Sequence, residues 1–95
     1  GSLEEAERIA ATLLDERLAA CVQITPVVSH YVWKGERARD AEQLMIMKIR
    51  ASAFGRLCER VRALHSYETP EITAVAMVDG DPDYLAWITE STTSK

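Results

Sequence analysis

Apolar positions near the start of the chain recur at intervals of three and four. Leu3, Ala6, Ile9, Ala10, Leu13 and Leu14 form one stripe, which predicts an amphipathic helix over residues 3–18. Glu4, Glu5, Glu7, Arg8, Asp15 and Glu16 fall mostly on the other side. Ser2, three residues before Glu5, predicts a capping box, and acidic residues in the first turn suit the positive end of the helix dipole. The pattern then changes. Cys21 to Trp33 is dense in β-branched and aromatic residues, which fit a pleated, half-buried surface and predict a strand. That run is long beside a typical strand of about 5–6 residues. Pro26 interrupts it; proline cannot donate to a ladder, so a kink or bulge is expected there. Lys34-Gly35-Glu36 opens a polar bend that runs to about Asp40, and the nearly all-apolar Gln43 to Ile49 predicts the returning strand.

Ser52 to His65 predicts a second helix capped by Ser52, with Phe54, Leu57, Cys58, Val61 and Leu64 on its apolar face. A polar connection, residues 65–71, leads to a third predicted strand, Ile72 to Val78. Asp79-Gly80 then turns the chain. Asp81 as cap and Pro82 at the first helical position predict a last helix through about Ser91. The order is helix, strand, strand, helix, strand, helix, an α+β class. One strand placed ahead of Leu3 would complete the split βαβ of a ferredoxin-like sandwich, an antiparallel sheet with helices on one face. That first strand is missing from the sequence. The long strand and its return form a β-hairpin arm, an edge that must bend or pair with something outside its own fold.

With 95 residues the chain is expected to form a single domain over residues 1–95. Eleven basic against 15 acidic residues leave a net charge of −4, so the footprint of a general nucleic-acid binder is absent. No apolar run is long enough for a membrane span, and no secretory signal opens the sequence, so a cytoplasmic protein is expected. Cys21 and Cys58 have no metal-type spacing and read as small core residues in a reducing compartment. There is no nucleophile elbow, phosphate-binding loop or dinucleotide fingerprint, which points away from an enzyme and from an organic cofactor.

Four pieces, in order, carry a resemblance: Glu16-Arg17-Leu18-Ala19-Ala20-Cys21, Tyr31-Val32-Trp33-Lys34-Gly35-Glu36, His65-Ser66-Tyr67-Glu68-Thr69-Pro70-Glu71-Ile72 and Asp79-Gly80-Asp81-Pro82-Asp83-Tyr84-Leu85-Ala86-Trp87. Together they make the chain resemble the CutA family of divalent-cation (copper) tolerance proteins, from about Glu4 to Thr92. The resemblance implies a ferredoxin-like homotrimer whose hairpin ribbons pair across subunits, and a role in the response to metal ions. It also implies a metal ligand at His65, binding Cu2+ or another divalent metal. Where the family has a tandem His pair, the first position here is Leu64.

Two readings of His65 stand side by side: a ligand completed by another subunit, or a loop-fixing residue at a helix C-terminus, where the dipole favours a cation. His30 is a weaker ligand candidate. Asp79, Asp81 and Asp83 read as turn and cap, since the loop is too short for calcium. Tyr31 and Trp33 alternate onto one face and, with Trp87, are expected at the trimer interface, where aromatics are enriched. A different class of function, a trimeric small-ligand-binding signalling protein resembling the nitrogen-regulatory trimers, would use an intersubunit cleft at Lys48, Arg50, His65, Tyr67 and Glu68 to take anions or nucleotides.

Overall fold

The computed structural model describes residues 2–67 and 70–93. In chain order these form α1 (Leu3–Asp15), β1 (Cys21–Trp33), β2 (Glu36–Lys48), a 3₁₀ turn (Ala51–Ala53), α2 (Phe54–Leu64) and α3 (Pro82–Ser91). The fold is α+β, with two antiparallel strands and three helices among the described residues.

α1 begins as its sequence dictates: the Ser2 hydroxyl accepts the Glu5 N–H at 3.1 Å. It ends three residues sooner than the apolar stripe implies, and the reason is local. Arg17 takes a left-handed φ of 58°. The Leu18 N–H then donates to Leu13 O at 2.9 Å and the Arg17 N–H to Leu14 O at 3.1 Å. This crossed pair is a Schellman motif with arginine where glycine is usual. It turns Leu18 back onto Leu13, and both side chains are buried.

β1 and β2 pair along their whole length, from Cys21 with Lys48 to Trp33 with Glu36. The predicted first strand matches. The predicted polar bend over 36–40 does not, because Lys34 and Gly35 alone make the turn. Both have positive φ, 51° and 81°, the type I′ geometry whose twist matches that of the flanking strands. The second strand therefore starts at Glu36. The ladder also passes through Pro26, opposite Gln43, without a bulge; among the described residues β1 is an edge strand, where proline is tolerated. Each strand has 13 residues, and at about 3.3 Å per residue a strand spans ~43 Å. The hairpin thus sets the 45 Å long dimension of the molecule.

The core is at the base of this hairpin. Ile9, Leu13, Leu18, Ala19, Leu57 and Val61 are buried together, and Val22, Met45 and Met47 on one sheet face, with Ile49, pack against them. α2 differs from expectation at its start. Residues 51–53 form the 3₁₀ turn, Ala53 precedes α2, and Ser52 makes no capping hydrogen bond. α3 starts as predicted, with Asp81 Oδ2 accepting from the N–H groups of Asp83 and Tyr84 at 3.1 and 3.2 Å. Its far end is held by Arg50, which donates to Thr92 Oγ1 at 2.8 Å and to Thr92 O at 2.5 Å. A guanidinium at a helix C-terminus satisfies orphan carbonyls and complements the dipole.

The third predicted strand is not formed. Ile72 packs against the core, but residues 70–81 join no ladder, and Val75 and Val78 are 91% and 98% exposed. Strand propensity describes a fit to a pleated surface with neighbours; the described residues offer this segment no strand to pair with.

Candidate functional site

The hairpin register decides which arm side chains meet. Antiparallel partners share a face, and side chains alternate along each strand. Ser29, Tyr31 and Trp33 of β1 therefore stand on the same face as Asp40 and Glu42 of β2. Tyr31 and Asp40 are diagonal neighbours, and the Tyr31 hydroxyl donates to Asp40 Oδ2. That hydrogen bond, reinforced by the negative charges of Asp40 and Glu42, pushes the Tyr31 phenol up to about 12. Lys34 Nζ lies 5.7 Å from the centre of the Trp33 ring, within cation–π range.

Ser66, Tyr67 and Glu71, beyond α2, border this surface. His65 ends the helix, donating its N–H to Val61 O at 2.8 Å. Its Nδ1 accepts the Tyr67 N–H at 3.0 Å, and the two rings meet edge-on with centres 4.7 Å apart. An Nδ1 that accepts leaves the proton on Nε2, which is 3.8 Å from Glu5 Oε1. Hydrogen bonds from Ser66 hold the Glu5 carboxyl below its usual range despite partial burial, and His65 adds to the effect. A depressed acid stabilises the fold above the ordinary carboxylate range and loses that contribution as the pH falls below it. Burial, followed by the charges of Glu42, Asp40 and Glu5, raises the Tyr67 phenol.

Between arm and loop lies a cleft of about 730 Å³, bordered by Ser29, His30, Tyr31, Trp33, Asp40 and Glu42 from the hairpin and by Ser66, Tyr67 and Glu71 from the loop. Of the predicted site residues, Tyr31, Trp33 and Tyr67 come together here, and His65 fixes the loop behind them. Two other members of the predicted cleft, Lys48 and Arg50, do not join them. Lys48 donates to Gln23 Oε1 at 2.6 Å, and Arg50 is committed to Thr92. Glu68 lies outside the described residues. Trp87 is on α3, with its ring centre 5.6 Å from that of Tyr84. Asp40, Glu42 and Glu71 were not anticipated. The first two were legible in principle, since a two-residue turn at Lys34-Gly35 fixes the register that aligns them with Tyr31.

As for a metal, no three His, Cys, Asp or Glu side chains among the described residues stand close enough to hold an ion. His65 has one ring nitrogen already accepting a hydrogen bond. The donors among the described residues of one copy do not make a complete site for Cu2+ or another divalent ion.

The family model of the CutA1 divalent ion tolerance protein matches residues 1–91. The chain belongs to the CutA1 family. It is 48% identical over 92 residues to the divalent-cation tolerance protein CutA of Thermus thermophilus, covering 96% of this chain and 89% of that one. Among solved structures, the periplasmic divalent cation tolerance protein CutA from Archaeoglobus fulgidus superposes with a TM-score of 0.95 at 44% identity, over 97% of this chain and 90% of the other. The divalent cation tolerance protein of Thermus thermophilus gives 0.94 at 47% identity, with 97% and 90% covered. CutA1 membership accounts for the four ordered sequence pieces together. No helix among the described residues is long and apolar enough to cross a membrane.

Proposed function

We propose that this CutA1 chain is a non-catalytic homotrimer that takes part in the response to divalent metal ions, with any bound ion, Cu2+ included, shared between copies. The observation that carries this reading is the arm. Among the described residues, two 13-residue strands pair only with each other, which leaves the outer edge of each without a strand neighbour. Natural proteins cover such edges, and a second copy of the same arm is a ready partner. Leu44 and Ile46, on the sheet face opposite the core, are 45% and 48% exposed and supply apolar surface for it. We read the fold as ferredoxin-like on similar grounds: the apolar 72–78 run has the composition of a strand short of a neighbour. Free thiols at Cys21 and Cys58 support a reducing compartment such as the cytoplasm.

His65 is the ligand candidate. Its Nε2 faces Glu5, so an ion there would need further donors from another copy. Native mass spectrometry of the purified protein should give three chains, and a copper titration should lose stoichiometry in His65→Ala, with circular dichroism checking the fold. A folded monomer at micromolar concentration would remove the oligomer, and identical titrations would remove the metal site.

A second reading, small-ligand binding, is favoured by the cleft between arm and loop. Its volume lies within the range of about 300–1,000 Å³ common to small-molecule sites.

A further inference from the structure

We propose that the cleft between the arm and Ser66, Tyr67 and Glu71 binds an organic cation, a substituted ammonium or guanidinium group. The inference rests on the small-ligand reading and gives it a chemical class. Two features of the lining set that class. First, it is aromatic: Tyr31, Trp33 and Tyr67 present three rings, whose negative faces attract cations. Trp33 already lies within reach of a cation, the Lys34 ammonium at 5.7 Å. Second, the formal charges on the lining are acidic. Asp40, Glu42 and Glu71 border the cleft with no lysine or arginine among the lining residues, and His30 is the one basic side chain there.

Together these features separate an organic cation from the alternatives. An anion or nucleotide would face three carboxylates, while Lys48 and Arg50, which could have received it, hydrogen-bond Gln23 and Thr92. A bare metal ion needs several hard or imidazole donors converging at about 2–2.5 Å, and the described residues converge at no such point. A space of about 730 Å³ is far larger than an ion. A diffuse positive charge carrying apolar groups meets both the rings and the carboxylates, as in aromatic cages for methylated ammonium. The Tyr31–Asp40 hydrogen bond keeps one ring in place.

The test uses choline as probe and 3,3-dimethylbutan-1-ol, its uncharged isostere of the same shape, as control, both titrated calorimetrically into the full chain at constant ionic strength. Choline should bind saturably at millimolar concentration or below, and the neutral isostere at least about tenfold more weakly. Trp33→Leu and the isosteric Glu42→Gln should each weaken choline about tenfold, the size of one cation–π or charge contact in free energy. Equal binding of the two probes, or choline binding unchanged in a folded Glu42→Gln protein, would overturn the proposal. Adenosine monophosphate binding that choline does not displace would keep the small-ligand reading and remove the cationic class. No binding of any probe would remove both. Loss of oligomer in Trp33→Leu, with no choline binding to wild type, would assign the cleft to a neighbouring copy and also overturn it.

Discussion

The base of the hairpin and its arm are built from similar residues and solve opposite problems. At the base, Ile9, Leu13, Leu18, Leu57 and Val61 bury one another beneath Val22, Met45 and Met47. Along the arm and the 70–81 segment, Val28, Val32, Val75 and Val78 are at least half exposed. Burial is therefore not a property of residue type here. It follows the helices, whose buried residues pack against Val22, Met45 and Met47 near the base of the ladder. The chain stabilises itself at one end and offers backbone edges, rings and carboxylates at the other.

Substitutions can sharpen or break this contrast. The largest effect belongs to the base. Leu13 is fully buried, so Leu13→Ala should cost about 3–5 kcal/mol in urea unfolding; a loss below about 1 kcal/mol would mean the base is not the stabilising core. Next comes the tie that closes α3. Arg50→Ala leaves the buried Thr92 without its donor and should cost about 1.5–3 kcal/mol, the range for a charged hydrogen bond. Arg17→Gly should act in the other direction. It relieves a left-handed residue at φ 58° and should raise stability by about 0.5–1 kcal/mol once the entropy of glycine is set against the relief. Val78→Thr should change stability by less than about 0.5 kcal/mol at concentrations where the chain is monomeric. A larger loss that grows with protein concentration would show that another copy covers this segment.

The weakest handle on stability is the exposed Tyr31–Asp40 pair. Its phenol is raised above the unfolded value, to about 12, so its contribution is complete below pH ~10 and disappears as the pH rises towards ~12. Near-ultraviolet phenolate absorbance should show Tyr31 ionising late, and Asp40→Asn should bring the late part of the titration down.

Much of the base could be read from residue order. Ser2 and Asp81 cap their helices as expected, and the stripe of Leu3, Ala6, Ile9 and Leu13 faces inward at Ala6, Ile9 and Leu13. The misreadings share a cause. The end of α1 depends on one left-handed arginine, which ordinary propensity disfavours. The start of β2 depends on recognising Lys34-Gly35 as a complete turn, after which charged residues 36–40 alternate as a strand. Ser52 has the chemistry of a cap, but the backbone places it inside a 3₁₀ turn. Half of the cleft was legible: Tyr31 and Trp33 stood out as aromatics on one face and Tyr67 as a candidate cleft residue, while Asp40, Glu42 and Glu71 were not assigned to a site.

Sequence by itself determined the helices, the long hairpin and the family, because periodicity, caps and an ordered series of short motifs act locally along the chain. Only the tertiary structure decided that Ile72–Val78 has no ladder, that Lys48 and Arg50 are engaged elsewhere, and that three rings and three carboxylates border one cleft. Those outcomes depend on contacts between residues far apart in sequence, and a strand or a site exists only when the partner that completes it is brought within reach.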